Sequence, residues 1–518
     1  MITAKHTDKV IAVLTVIAVC LVLTFSMFGG ALGGTSQAQA GVTMEYESKL
    51  FDTSSPLTVN IVVDEEDWQD MLDNASDEEY IECTLEINGT AFSHVGIRPK
   101  GNTSLSNIAM NPDTDRYSFK VEFDHYVEGQ TCWGLDKLVL NNNYADATNM
   151  KEALVYDMYR FLGADASLHN YAETSVNGEY WGVYLALEAV EDSFLLRNYG
   201  VSAGELYKPE GMGMGGGDSD SSDSDGSDQG GGPGNFGGFG GSGADLNYTD
   251  DDLDSYSTIW EGAVTDSDDS DHERVVEALK KISEGEDIDT CMNVDNLLRY
   301  MAVHEFVVND DSLSANMAHN YYLYEKNGQL NIIPWDYNLT FGGMNGTDAS
   351  GVVNDPIDTP FEGTDFFDAL LENETYLAQY HSYLRQLCEE YVDGGAFDEF
   401  FIRTREQIDP LVSTDPTAFY TYEEYEDAAD MLAEVVQRRA ESVTGQLDGT
   451  IPSTKDGQAE NADALIDTSD IDISIMGTMD TGGTMGGGGG FPGGFGGFGN
   501  FGGPGSSDEA GSFEAPDG

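Results

Sequence analysis

Apolar and polar positions alternate through Leu57, Val59, Ile61 and Val63, which predicts a strand with one buried face. A short helix follows around Trp68 to Leu72. Residues 83–87 and 95–97 then flank Asn88-Gly89, and residues 171–176 and 180–187 flank Asn177-Gly178. Residues 321–324 and 330–333 flank Asn327-Gly328 in the same way. Asn-Gly accepts positive φ at both central positions of a two-residue turn, so each of these segments reads as a β-hairpin. Residues 117–124 (YSFKVEFD) form a clean alternating strand, with Tyr117, Phe119, Val121 and Phe123 on one face and Ser118 and Lys120 on the other. Helical periodicity covers 147–162, stopped by Gly163, and then 271–282, 292–308, 366–391, 396–408 and 422–447. The chain is therefore read as α+β, with a β-rich part over 41–210 and an α-rich part over 248–450. Residues 211–247 form a Gly/Ser/Asp-rich insertion and 451–518 a Gly/Phe-rich tail, both expected to be disordered.

Composition narrows the partners. The 518 residues are 40% hydrophobic and 11% aromatic, enough for a sizeable core, but carry a formal net charge of −71. Such a charge repels a phosphate backbone and excludes nucleic acid as a partner. It suits solubility in an external or salty medium. Lys5 and Lys9 precede an apolar run over 10–28, and Ala38-Gln39-Ala40 offers a small-residue cleavage site. Residues 1–40 thus read as a signal peptide or an uncleaved membrane tether, which puts the body outside the cytoplasm. Cys83, Cys132, Cys291 and Cys388 are even in number, which in an exported chain permits two disulfides in three pairings. They are too scattered for a zinc site. The acidic run before Gly226 fails as an EF-hand loop, because Ser221 stands where a third acid is needed.

Candidate chemistry concentrates between His304 and Gly343. Asp311 and Asn316 have the Asp-x4-Asn spacing of a protein-kinase catalytic loop. A hairpin follows, and its second strand ends in Pro334-Trp335-Asp336. One Asp to take a hydroxyl proton, then an amide and a second Asp to hold metal ions, is the order that phosphoryl transfer uses. Upstream, Arg98-Pro99-Lys100-Gly101-Asn102-Thr103-Ser104 is a basic, small-residue loop able to cradle an anion. Lys120 lies two residues from Ser118 on one strand face, as a phosphate-binding strand lysine does. Asn149-x-x-Glu152 has the form of a capping box, and the rival role of Glu152 is to pair with a strand lysine.

An ordered set along the chain resembles the spore coat protein H (CotH) kinase family. Its members are residues 96–104, Tyr117-Ser118-Phe119-Lys120, Leu140-Asn141-Asn142, residues 177–184 and Leu206-Tyr207-Lys208. Asp311, His319-Asn320-Tyr321-Tyr322-Leu323-Tyr324 and Ile333-Pro334-Trp335-Asp336 complete it. The resemblance implies a divergent two-lobed protein-kinase-like fold that uses ATP and Mg2+ or Mn2+ on Ser or Thr hydroxyls of a protein substrate. It implies Asp311 as catalytic acid, with Asp310 one position away, and Asp336 as metal ligand with Asn316 or Asn320 as the second. Lys120 is the implied phosphate lysine, with Lys100 and Arg98 as rivals and Glu152 as its partner; Lys208 has no assigned role. Asn338 stands where the family often has a second acid. A flexible Ser-rich insertion beside such a site would itself be an acceptor. The competing expectations are a non-catalytic kinase-like surface or adhesion module and a structural coat protein.

Overall fold

Each of the three Asn-Gly pairs turns the chain through two left-handed residues, with φ of 50° and 78° at Asn88-Gly89, 51° and 83° at Asn177-Gly178, and 55° and 81° at Asn327-Gly328. These turns create the hairpins β2 (Ile81–Ile87) with β3 (Thr90–Lys100), β6 (His169–Val176) with β7 (Glu179–Glu188), and β9 (Tyr321–Lys326) with β10 (Gln329–Pro334). The computed structural model describes residues 41–210, 243–314, 318–344, 348–359, 361 and 363–479. The segment read as signal or tether, residues 211–242 of the insertion and Asn316 lie outside the described residues.

With β1 (Leu57–Val62), β4 (Ser118–Glu122) and β5 (Lys137–Asn141), the first two hairpins close into a barrel of order β1-β2-β3-β4-β5-β7-β6. Its one parallel seam joins β1 to β6, pairing Val59 with Thr174. Ile97, Phe119, Val121, Leu138, Leu140 and Ala186 fill the interior. Trp68, on α1 (Glu65–Asp73), packs against Phe119 with ring centroids 5.4 Å apart. A closed seven-stranded barrel departs from the β-rich kinase lobe that the resemblance implies. It arises because β6 returns parallel to β1 and takes up the pairing groups that an open sheet would leave at its edge.

The helical half is built from α3 (Lys151–Leu162), α5 (Asp269–Glu284), α6 (Val294–Val307), α7 (Glu374–Gln386), α8 (Ala396–Val412) and α9 (Tyr422–Leu447), with shorter helices α2 (Thr103–Ala109) and α4 (Asp192–Tyr199) on the barrel. Helix α3 is buried at ten of its twelve positions and lies between the barrel's outer face and the helices. Arg439 of α9, fully buried, donates to the carbonyl oxygens of Glu305, Phe306 and Asp355 and so ties α9 to α6.

The boundaries differ from expectation in three places. Strand β8 (Glu205–Tyr207) lies before residue 210 yet pairs with β9, giving a second sheet of order β10-β9-β8. Ala244 and Leu246, at the end of the expected insertion, are buried. Residues 451–479 are not a loose tail, since Ile451, Ile473 and Met476 pack into the core. The four cysteines are free and buried, which corrects the disulfide expectation. Burial pushes the Cys291 thiol up to about 11 and those of Cys83 and Cys388 to about 12, so they behave as small apolar side chains. Among the described residues no helix is long and apolar enough to cross a membrane.

Candidate active site

The barrel turns a polar stripe toward α3. Antiparallel pairing sets Arg98 beside Lys120 and Lys100 beside Ser118, while Phe119 and Val121 point inward. Strand β3 runs on through Lys100, so Arg98, Pro99 and Lys100 belong to a strand and not to the expected loop. The strand breaks at Gly101, whose φ of +124° favours glycine. Asn102 is exposed, and Ser104 lies in the first turn of α2.

Helix α3 begins at Lys151, with no side-chain cap at Met150 and Asn149 held at φ +53°. Glu152 is therefore not a capping-box residue. Its carboxylate turns inward, 3% exposed, and accepts from Asn141 Nδ2 at 2.7 Å. Asn141 Oδ1 in turn accepts from Lys100 Nζ at 3.5 Å. Lys100 also lies 5.7 Å from the ring centroid of Trp335, next to Asp336. Burial pushes the Glu152 carboxyl up and repulsion from Asp336 adds to it, while the Asn141 bond, Lys100 and the Tyr337 amide oppose the rise. The lysine facing Glu152 is thus Lys100. Lys120, expected in that role, pairs with Glu191 at 3.5 Å in a group that Lys137 joins at 3.6 Å. Arg98 pairs with Glu78 and sits 5.3 Å from the Tyr80 ring centroid. Lys208 pairs with Glu210 at 2.9 Å.

In the loop after α6, both oxygens of the Asp311 carboxylate are held. His319 Nε2 meets Oδ1 at 2.6 Å, and Asn320 Nδ2 donates to Oδ2 at 3.0 Å and to the Asp311 carbonyl at 2.8 Å. Asp311 is buried while Asp310 is exposed, which separates the two adjacent acids. Burial draws the His319 imidazole down, but the hydrogen bond and charge of Asp311, with Glu210 and Asp336 adding, outweigh it and hold it above its ordinary value. His319 was not singled out as a site candidate, although it opens the His-Asn-Tyr-Tyr run already noted.

Asp336 follows β10 at φ +59°, and Asn320 is also at +59°. Left-handed conformations at non-glycine residues cluster at functional sites, where surrounding structure over-determines them. Beneath the site Tyr159 donates to the Tyr337 hydroxyl at 2.8 Å, which meets His304 Nδ1 at 2.9 Å. His304 Nε2 then meets Ser314 Oγ at 2.7 Å. This buried chain connects α3, the Asp336 turn, α6 and the Asp311 loop. Burial lowers the His304 imidazole to about 3, so it works as a neutral link.

Among the described residues no group of three or more His, Cys, Asp or Glu side chains forms a metal cluster. Glu152 Oε1, however, lacks a partner in hydrogen-bond geometry although it is buried, and a second carboxylate lies near enough to repel it. Two acids without a full protein cage fit Mg2+ or Mn2+, which complete an octahedral shell with water and phosphate oxygens. Glu152 and Asp336 are the residues that could hold such an ion.

The family described as CotH kinase protein matches residues 97–443, which include Lys100, Lys120, Asn141, Glu152, Asp311, His319, Asn320 and Asp336. The inner spore coat protein H of Bacillus subtilis (strain 168) is 21% identical over 342 residues, covering 65% of this chain and 84% of that protein. With a match over more than half of its length, the chain belongs to the CotH kinase protein family.

Proposed function

We propose that this protein is an exported protein kinase that transfers the ATP γ-phosphate to Ser or Thr hydroxyls of extracellular or coat proteins, on a divergent kinase-like architecture. The observation that carries the reading is the Asp311 carboxylate, fixed at 2.6 Å by His319 and 3.0 Å by Asn320, with the Asp336 charge acting on both His319 and Glu152. Asp311 orients the acceptor hydroxyl and takes its proton, as a positioned carboxylate does in such transfers. Lys100 meets nucleotide phosphates while Asn141 and Glu152 fix its ammonium. Asp336 and Glu152 hold the divalent cation, which neutralises charge on the transferring phosphoryl group. Asn320 is assigned to orienting Asp311.

The coat function named for the Bacillus relative favours a second reading, in which the fold serves as a non-catalytic coat component. Radiolabelled phosphate transfer by the full chain, with ATP and Mg2+ or Mn2+, separates the two. The kinase reading expects transfer to fall about 10²–10⁴-fold in Asp311→Asn, with a comparable loss in Asp336→Asn. Wild-type protein that neither transfers phosphate nor binds Mn2+-ATP would leave the coat reading standing.

A further inference from the structure

Residues 471–479 lie beyond the family match, which ends at 443, yet they touch both turns that present the acids of the cleft. On one side the Ala147 amide donates to the Met476 carbonyl at 3.1 Å, and Lys151 Nζ donates to the Gly477 carbonyl at 3.3 Å. Lys151 directly precedes Glu152. On the other side the Met479 amide donates to the Gly343 carbonyl at 3.0 Å. Ile473 fills the space where a Cβ on Gly342 would stand, at 2.7 Å, in the turn that follows Asp336. The segment is anchored from outside, since Arg438 of α9 reaches the Asp467 carbonyl at 3.1 Å and Asp470 at 3.2 Å.

Its fit is specific. Gly477 has φ +86°, and a Cβ there would lie 2.7 Å from the Ala145 carbonyl oxygen and 2.8 Å from the Ala147 amide, so no other residue seats the segment without a shift. Lys151 is fully buried. An ammonium in that position needs every acceptor it has, and the Gly477 carbonyl is one of them. Helix α3 has no side-chain cap, and its first turn is held by Asp146, which accepts from the Lys151 amide at 2.9 Å, and by this segment.

We propose that residues 471–479 form a positioning strap that fixes Glu152 relative to Asp336 and thereby sets the affinity of the cleft for its divalent cation. The proposal rests on the metal role given above to these two acids. The strap touches neither carboxylate and acts through the α3 first turn and the turn at 341–343.

The test uses the full chain carrying Gly477→Val, which unseats the strap, or Lys151→Met, which keeps most of the side-chain length and removes the bond to it. Ile475→Glu, at an exposed strap position, serves as control. Mn2+ affinity in the presence of ATP is expected to weaken about 10–100-fold in the first two variants and to stay unchanged in the control. Transfer at saturating Mn2+ is expected to return to near the wild-type rate, a split that simple loss of folded protein would not give. Amide exchange is expected to speed up in both 145–153 and 337–344 while α9 stays protected. If exchange rises only within 471–479 and Mn2+ affinity is unchanged, the strap role is overturned. Wild type that binds no Mn2+ would overturn the metal role alone, and the exchange pattern, which needs no ligand, would still decide whether the strap couples the two turns.

Discussion

Glu152 is ionised at a cost. Its raised carboxyl means that the folded chain binds a proton that the unfolded chain releases, so this residue's contribution to stability falls as pH rises from its ordinary 4.5 to about 8. Urea unfolding of wild type should lose on the order of 2–4 kcal/mol more across that range than Glu152→Gln does. Millimolar Mg2+ should restore stability to wild type above pH 8 and leave Glu152→Gln unaffected. His319 slopes the same way, but through its charged form. Its raised imidazole stabilises fully below its ordinary 6.5, and the contribution is lost as pH rises through the raised value. Replacement by Gln should lower transfer roughly tenfold and flatten this part of the stability profile, compared at acid and alkaline pH. Asp311, Asp336 and the polar face bearing Lys120 were legible from spacing and alternation. That Lys100, and not Lys120, stands beside Asn141 and Glu152 was not, because a period of two tells which face a side chain takes but not how far a strand extends. Glu152 was ambiguous for a related reason: Asn149-x-x-Glu152 has a cap's spacing, and only tertiary packing, which starts the helix at Lys151, turns the carboxylate inward.

At the scale of elements, the Asn-Gly hairpins and helix α9 were readable because their signals are local. A two-residue turn that needs positive φ, or a Thr421 cap that accepts from the Glu424 amide while the Glu424 side chain reaches back, is written within a few residues. Barrel closure was not readable. Pairing β1 with β6 joins Leu57 to Ala172, and nothing near either residue encodes the other. A second long-range tie fastens the barrel to the loop between α8 and α9. Arg116 and Asp415, with side chains 4% and 2% exposed, meet at 2.8 Å, and the guanidinium lies between the rings of Tyr184 and Phe419. Removing one partner of such a pair leaves a buried charge, so Arg116→Met should cost about 3–5 kcal/mol in denaturant unfolding. The double variant Arg116→Met with Asp415→Leu should recover much of that loss.

For the whole molecule, 94 acidic against 23 basic residues impose self-repulsion that no local contact cancels. The melting temperature should therefore rise with NaCl up to roughly 1 M, where the Debye length falls to about 3 Å, and a flat response would show that the charge is already compensated. The composition made this legible. It did not reveal that the cysteines stay apart, because an even count permits pairing without bringing any two together. Closure of the barrel has a further consequence at high protein concentration. The barrel has no free strand edge, and both margins of the small sheet are engaged, β8 by the backbone around Ala263 and β10 by that around Met292. Strand-by-strand polymerisation, the commonest hazard for β-rich chains at high density, finds no template among the described residues. Packing of many copies would then be governed by the acidic exterior and the counterions between molecules, so dissolved salt would act as their mortar.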